Sequence, residues 1–400
     1  MISALVFLLL VHVNIGFSQS QPDSYCVWDK YSKDGRDMPL AITPVPTSGH
    51  DDYVKIPYGS DVVFVCATSG FKAEIFAKSL QGQCSQENMI ELQNGTRLPY
   101  KNFECNKIFL TDRSIPNKPG CPERAESLEI GSVVPEFGMA FIHGDVCYST
   151  EEERTLFIHY NSATDNVVKS NNFRSESQMQ QRKNTSFIDK ILERATRKLE
   201  NKLGDIKLET AYFVSKGNMV AGNQKSIGET PYWNHFISNS NLAPKSLWTI
   251  IRQISTIRDI QVDVWIGTSG VLKMKDAIGN KFDFYLQDNK FPVPKYIWGI
   301  VNNANGDIKS QNAYIAVNDQ WNQHLESRDE IEAAHREIQE KCPKEQSFFH
   351  DVMQSFRNLF QNSAENSKLD EFKRMTDMFY TCSVRDLTKI IPEISQYLQI

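Results

Sequence analysis

A chain of 400 residues, 40% hydrophobic and 23% charged, is long enough for two hydrophobic cores and too apolar to be disordered throughout. Its formal net charge of -5 excludes a polycation that holds nucleic acid by bulk charge, so binding of that kind needs a local basic patch. In chain order the first feature is residues 1–18, MISALVFLLLVHVNIGFS, an uncharged apolar run in which Gly16 and Ser18 supply the small residues of a cleavage site. This stretch reads as a signal peptide, although it lacks the usual basic start. It is too short to span a bilayer comfortably, and no later segment approaches a membrane span. The expectation is a secreted, extracellular protein without a membrane partner.

Residues 19–150 alternate short extended runs with turn clusters: Tyr53 to Pro57, Asp61 to Cys66 and Phe137 to Ile142, with Gly, Pro and Asn between them. Six of the eight cysteines fall here, and no C-x-x-C pair or close His/Cys cluster offers a metal-ligand spacing. A cysteine-rich, disulfide-braced β module follows, with the pairing of its six cysteines left open by the sequence. The other two, Cys342 and Cys382, are expected to bond to each other. Sequons at Asn94 and Asn184 fit glycosylation of an exported surface.

Residues 161–186 are polar and rich in Asn, Ser and Gln, which reads as a linker or surface connection. A helix is predicted next, from an N-cap at Ser186 to a stop at Gly204, with Ile188, Ile191, Leu192, Ala195, Leu199 and Leu203 at helical spacing. Its other face is basic: residues 182–207 hold eight Lys/Arg against four Asp/Glu. Such a face is equally that of a solvated helix with Glu/Lys pairs. Strands are predicted at 211–214, 232–237, 261–267, 281–286 and 313–317, with a helix at 246–257 between the second and third. After Trp321 the pattern turns helical and charged, as in 330–341 and 348–361. Residues 151–400 therefore read as α+β with a mainly antiparallel sheet.

Six segments in order carry a resemblance: AYFVSKGNMVAGN, WNHFISNSNLAPKSLW, VDVWIGTSGVLKM, FYLQDNKFPVPKYIWGIV, AYIAVND and FYTCSV. Together they resemble the DNA/RNA non-specific endonuclease family, the ββα-metal nucleases, and within it the secreted insect branch and the nuclease-like salivary proteins of tsetse flies. The cysteine-rich front module also resembles the one that precedes the nuclease core in insect relatives. The resemblance implies a ββα-metal-nuclease-like core over 151–400, with helices flanking its sheet.

Active members carry a D-R-G-H motif in which histidine is the general base and arginine meets phosphate. A later asparagine holds magnesium ahead of a tryptophan, and a glutamate one turn beyond supports its water shell. Here the quartet is Ser215-Lys216-Gly217-Asn218. Lys216 still neutralises a phosphate, as a point charge without arginine's fork. Asn218 has no group that titrates near neutral pH, so it orients water but takes no proton from it. In Asn241-Leu242-Ala243-Pro244-Lys245-Ser246-Leu247-Trp248 the segment before the tryptophan is cut short, so the metal-ligating asparagine has no counterpart. Arg252 stands where the glutamate belongs, and its guanidinium repels magnesium and attracts phosphate.

The resemblance with these departures implies a secreted, salivary-type protein that binds DNA and RNA without sequence preference and hydrolyses them weakly or not at all. Phosphate contacts fall to Lys216, Lys225, Lys245 and Arg252, extended by Lys190, Arg194, Arg197 and Lys198. No cofactor or metal is expected, magnesium entering only if hydrolysis persists. Host extracellular nucleic acid is the natural partner. Two alternatives stay open: a magnesium-dependent endonuclease with a substitute base, for which His235 is a weaker candidate, and a scavenger or antihaemostatic protein working through its front module. Trp233, Trp248 and Trp265 read as core aromatics, and His159 as one of several scattered histidines.

Overall fold

The computed structural model describes residues 25–29, 39–43, 53–66, 79–85, 89–99, 102–103, 105, 110–116, 118–134, 138–161, 166–174, 215–218, 235–238, 262–275, 278–303, 312–318, 328–342 and 379–398. In the front region β1 (Tyr25–Asp29) pairs with β3 (Tyr53–Pro57). A five-stranded antiparallel sheet runs β2 (Leu40–Thr43), β4 (Asp61–Val65), β5 (Ser79–Ser85), β6 (Met89–Leu92), β7 (Arg97–Pro99). Its alternation is regular, with Leu80 and Cys84 of β5 inward and Gln81 and Gln83 outward. Disulfides Cys26–Cys84 and Cys66–Cys105 cross a core that includes Ile56, Phe64, Ile90 and Phe103.

The larger unit is one nine-stranded sheet. Its members are β8 (Leu110–Ser114), β9 (Ala125–Val134), β10 (Met139–Ser149), β11 (Arg154–Asn161), β12 (Asn166–Lys169), and, after the two-stranded pair of β13 (Ser215–Asn218) and β14 (His235–Ser238), β15 (Val262–Ser269). Two small ribbons follow, β16 (Lys273–Lys275) with β17 (Lys281–Asp283) and β18 (Tyr285–Gln287) with β19 (Lys290–Pro292). The sheet then takes in β20 (Tyr296–Asn303), β21 (Asn312–Val317) and, beyond helix α1 (Arg328–Lys341), β22 (Tyr380–Cys382). The order is β22-β21-β20-β15-β11-β10-β9-β8, with β12 also on β10, and every pairing is antiparallel.

Central strands β20 and β21 are apolar on both faces: Ile297, Trp298, Ile300, Tyr314 and Ile315 are all fully buried. On one face α1 contributes Ile331, Ala334 and Ile338, spaced as one helical stripe. Helix α2 (Val384–Ile390) adds Val384, Leu387 and Ile390, and α3 (Glu393–Leu398) adds Ile394. Ser383 caps α2 by accepting the Asp386 backbone N–H at 3.1 Å, and Cys342–Cys382 ties the end of α1 to β22. Gly267 is required where it stands: it faces Trp298 in register, and a Cβ there would meet the indole and the Leu156 carbonyl inside contact distance.

The expected α+β, ββα-metal-nuclease-like core is corrected by this architecture. Among the described residues there are twenty-two strands against three helices, in antiparallel sheets braced by four disulfides. The cause is the period-two apolar pattern of 110–161 and 262–317, which makes these strands pair sideways into one β-rich body. Residue 150, taken as a domain boundary, lies in the turn between β10 and β11, and the sheet runs unbroken across it. The third front cysteine pair, Cys121–Cys147, belongs to this large sheet. The supposed linker is partly strand: Asn166–Lys169 pairs with β10, and the Arg174 guanidinium bridges the fully buried Asp112 and the partly buried Glu126. The predicted helices at 186–204, 246–257 and 348–361 and the strand at 211–214 lie outside the described residues.

Candidate functional site

Of the residues singled out from sequence, Lys216 and Asn218 lie in β13, which pairs with β14 so that Lys216 is opposite Ile237 and Asn218 opposite His235. The backbone of β14 lies against β11. Lys190, Arg194, Arg197, Lys198, Lys225, Lys245, Arg252 and Asn184 fall outside the described residues. Asn94 is exposed in the turn after β6, its Oδ1 accepting the Thr96 backbone N–H at 2.9 Å. Cys342 and Cys382 are bonded to each other.

The structure brings together a cluster that sequence reasoning missed. Asp145 on β10 and His159 on β11 are direct cross-strand partners, and His159 is in turn opposite Trp265 on β15. Asp263 stands two residues before Trp265, so strand alternation returns it to the same face. Gly144 opens the approach, since a Cβ there would collide with the His159 carbonyl. The His159 ring lies flat on Trp265, with centroids 4.3 Å apart and planes 11° from parallel. Its Nε2 is 2.7 Å from Asp263 Oδ1 and its Nδ1 is 3.4 Å from Asp145 Oδ2. Lys118, from the loop before β9, pairs with Asp145 on the outer side.

Burial works against charge on His159, but its hydrogen bonds to the Asp145 and Asp263 carboxylates outweigh it and raise its pKa above the usual 6.5. Asp145 is likewise opposed by burial, and His159 and Lys118 together hold its pKa below 3.8. Each ring nitrogen faces a carboxylate oxygen, an arrangement that suits an imidazolium donating to both, and one of the two carboxylates also meets an ammonium. Charges in this row cancel in pairs.

Lys118, Asp145, His159 and Trp265 form one wall of a cavity of about 230 Å³ whose other walls include Phe157, Tyr397 and the Cys121–Cys147 bridge, with Asp263 outside the lining. Tyr397 packs on Phe157 with centroids 4.9 Å apart, and burial, then the nearby Glu393 charge, pushes its hydroxyl pKa up to about 12. The phenol therefore stays neutral.

An imidazole with both nitrogens committed to carboxylates has no free lone pair, so His159 is a poor general base and a poor metal ligand. Among the described residues no group of three His, Cys, Asp or Glu side chains is arranged to hold a metal ion. What the arrangement offers is an aromatic recess with a neutralised donor and acceptor edge. Its sequence signal was faint: His159 follows the apolar run Leu156-Phe157-Ile158 in β11, and Asp263 and Trp265 share the face of the next strand. Only the register joins them. Compared with known proteins, the chain matches no family model and no curated protein.

Proposed function

We propose that this is a secreted nucleic-acid-binding protein derived from a DNA/RNA non-specific endonuclease, which grips phosphates without sequence preference and hydrolyses them weakly or not at all. The observation that carries the reading is the strand pair β13–β14, which holds the Lys216-Gly217-Asn218 remnant in regular extended backbone beside the large sheet. Supporting it are the order of six family-like segments and the replacement of base, metal ligand and supporting carboxylate by Asn218, a shortened loop and Arg252. The family's α+β fold gives no support, because the described residues are β-rich. Four disulfides fit an oxidising compartment, and among the described residues no helix is long and apolar enough to cross a membrane.

Binding through phosphates releases counterions, so affinity for DNA and RNA of unrelated sequence should fall steeply with salt. Reversing Lys216, Lys245 and Arg252 to glutamate should weaken binding uniformly and flatten the log–log salt slope by about 3, roughly 0.9 per lost phosphate contact. Salt-independent or absent binding in gel shifts overturns the reading.

One observation favours residual hydrolysis instead: a histidine, His235, stands opposite Asn218 in the register. Plasmid and RNA incubated with Mg²⁺ at high protein concentration distinguish the two. Cleavage abolished by His235→Ala supports a working nuclease; equal and negligible cleavage by both forms supports binding alone.

A further inference from the structure

We propose that the pocket beside His159 accepts one unpaired nucleobase, guanine before the others, with its ring among Phe157, Trp265 and Tyr397 and its edge on the Lys118–Asp145 pair. The source of the base rests on the nucleic-acid reading above; the pocket itself does not. Size is the first argument. A cavity of about 230 Å³ is below the range of drug-sized sites and matches a single ring system rather than a nucleotide pair.

Charge is the second. In the lining the Lys118 ammonium is paired with the Asp145 carboxylate, and His159 turns its Nε2 to Asp263, which stands outside the lining, so the charges around the recess are already paired before anything enters. A phosphate would meet Asp145 across the pocket, and a small cation would meet Lys118 and His159. A purely apolar ligand would dry the ion pair without replacing its hydrogen bonds. A neutral heteroaromatic ring avoids all three costs, because its face satisfies the aromatic walls and its edge supplies donors and acceptors. Guanine's Watson–Crick edge sets an oxygen acceptor beside two N–H donors, the complement of an ammonium beside a carboxylate. Uracil has a single donor between two acceptors and satisfies the carboxylate less well.

Position is the third argument. β11 supplies Phe157 and His159 to the pocket, and the same strand lies against β14, the partner of the Lys216 strand. A single strand held there by its phosphates would run next to the recess.

The test uses the full-length chain with guanosine, adenosine, cytidine and uridine, read by saturation-transfer NMR and tryptophan fluorescence, and a labelled single-stranded oligonucleotide read by anisotropy. Guanosine is expected to bind at about 1 mM, as suits a ligand of its size, and more tightly than uridine. Asp145→Asn and Lys118→Met should each weaken it about tenfold or more, as expected for loss of a charged hydrogen-bonding partner. Lys118 lies in a loop with its side chain one-third exposed, so Lys118→Met decides the matter if Asp145→Asn fails to fold. Absence of nucleoside binding, or guanosine affinity unchanged by Lys118→Met, overturns the pocket. Oligonucleotide binding with no nucleoside bound overturns the pocket alone. Guanosine binding without oligonucleotide binding supports the pocket and overturns the nucleic-acid reading.

Discussion

The front cluster and the nine-stranded sheet answer the same entropic problem in different ways. Among the described residues of the front cluster, four of ten core residues are half-cystines, and the largest buried side chains are Phe64 and Phe103. Among the described residues the large core has twenty-three members, of which three are half-cystines, built around Trp298, Ile300, Ile315 and helices α1 to α3. A small core cannot offset the ordering of its strands by apolar burial alone, so covalent closure limits the unfolded ensemble instead. A large core does so by packing, with Cys342–Cys382 at its edge strand β22 and Cys121–Cys147 fastening a loop to β10. Among the described residues, Val65 of β4 packs on Val134 of β9.

This contrast can be broken most sharply at Trp298. Trp298→Ala empties the centre of the large core and should cost about 3–5 kcal/mol in denaturant unfolding. Hydrogen exchange should rise through β15, β20 and β21 while β4 and β5 keep their protection. Removing the front bridge by Cys66→Ala with Cys105→Ala should cost about 2–5 kcal/mol and do the reverse, with exchange rising in β4 to β6. Equal loosening of both regions would show that they unfold as one unit. Gly267→Ala, which thrusts a methyl group into the Trp298 indole, should cost about 1–3 kcal/mol, read as a lower unfolding midpoint confined to the large sheet.

The smallest expected effect is the dependence on pH. The folded pKa of His159 is raised by its partners Asp145 and Asp263, with Lys118 beyond. Its contribution is therefore fully present below the unfolded value of 6.5 and is lost as pH rises through the folded one. Asp145, with a lowered pKa, contributes above 3.8 and stops doing so as pH falls through its folded value. The melting temperature should decline on both sides of this window, and His159→Gln should remove the alkaline limb and shrink the acid one, which Lys118 alone then sustains. An unchanged alkaline limb would show that the cluster does not hold its proton.

Much of the fold was legible wherever apolar alternation was strong. Tyr53–Pro57 and Asp61–Val65 formed as read, and 262–269, 312–317 and 328–341 appear within a residue or two of expectation. The single run expected at 281–286 is instead two short strands, because Phe284 leaves the ladder to hydrogen-bond Leu272 and Val293. The polar stretch around 166–174 hid a strand, since Val167 and Val168 are too few to mark one without β10 beside them. Composition also suggested a boundary where hydrogen bonds place a hairpin. The pocket was invisible for a related reason: Lys118, Asp145, His159 and Asp263 are far apart in the chain, and neighbourhood in a sheet depends on which strands pair. A local motif such as Ser215 to Asn218 stands out in one dimension, whereas a cross-strand charge row exists only in two.

The unbroken ladder from β8 to β22 bears on how such a chain can be taken apart or inherited. A gene junction at residue 150 would sever β10 from β11 and leave two raw sheet edges, each a template for aggregation. A junction between 105 and 110 cuts no rung of the large sheet and leaves both front disulfides whole. On these pairings a front piece ending before β8 could be exchanged without opening the large sheet, whereas a cut at residue 150 could not.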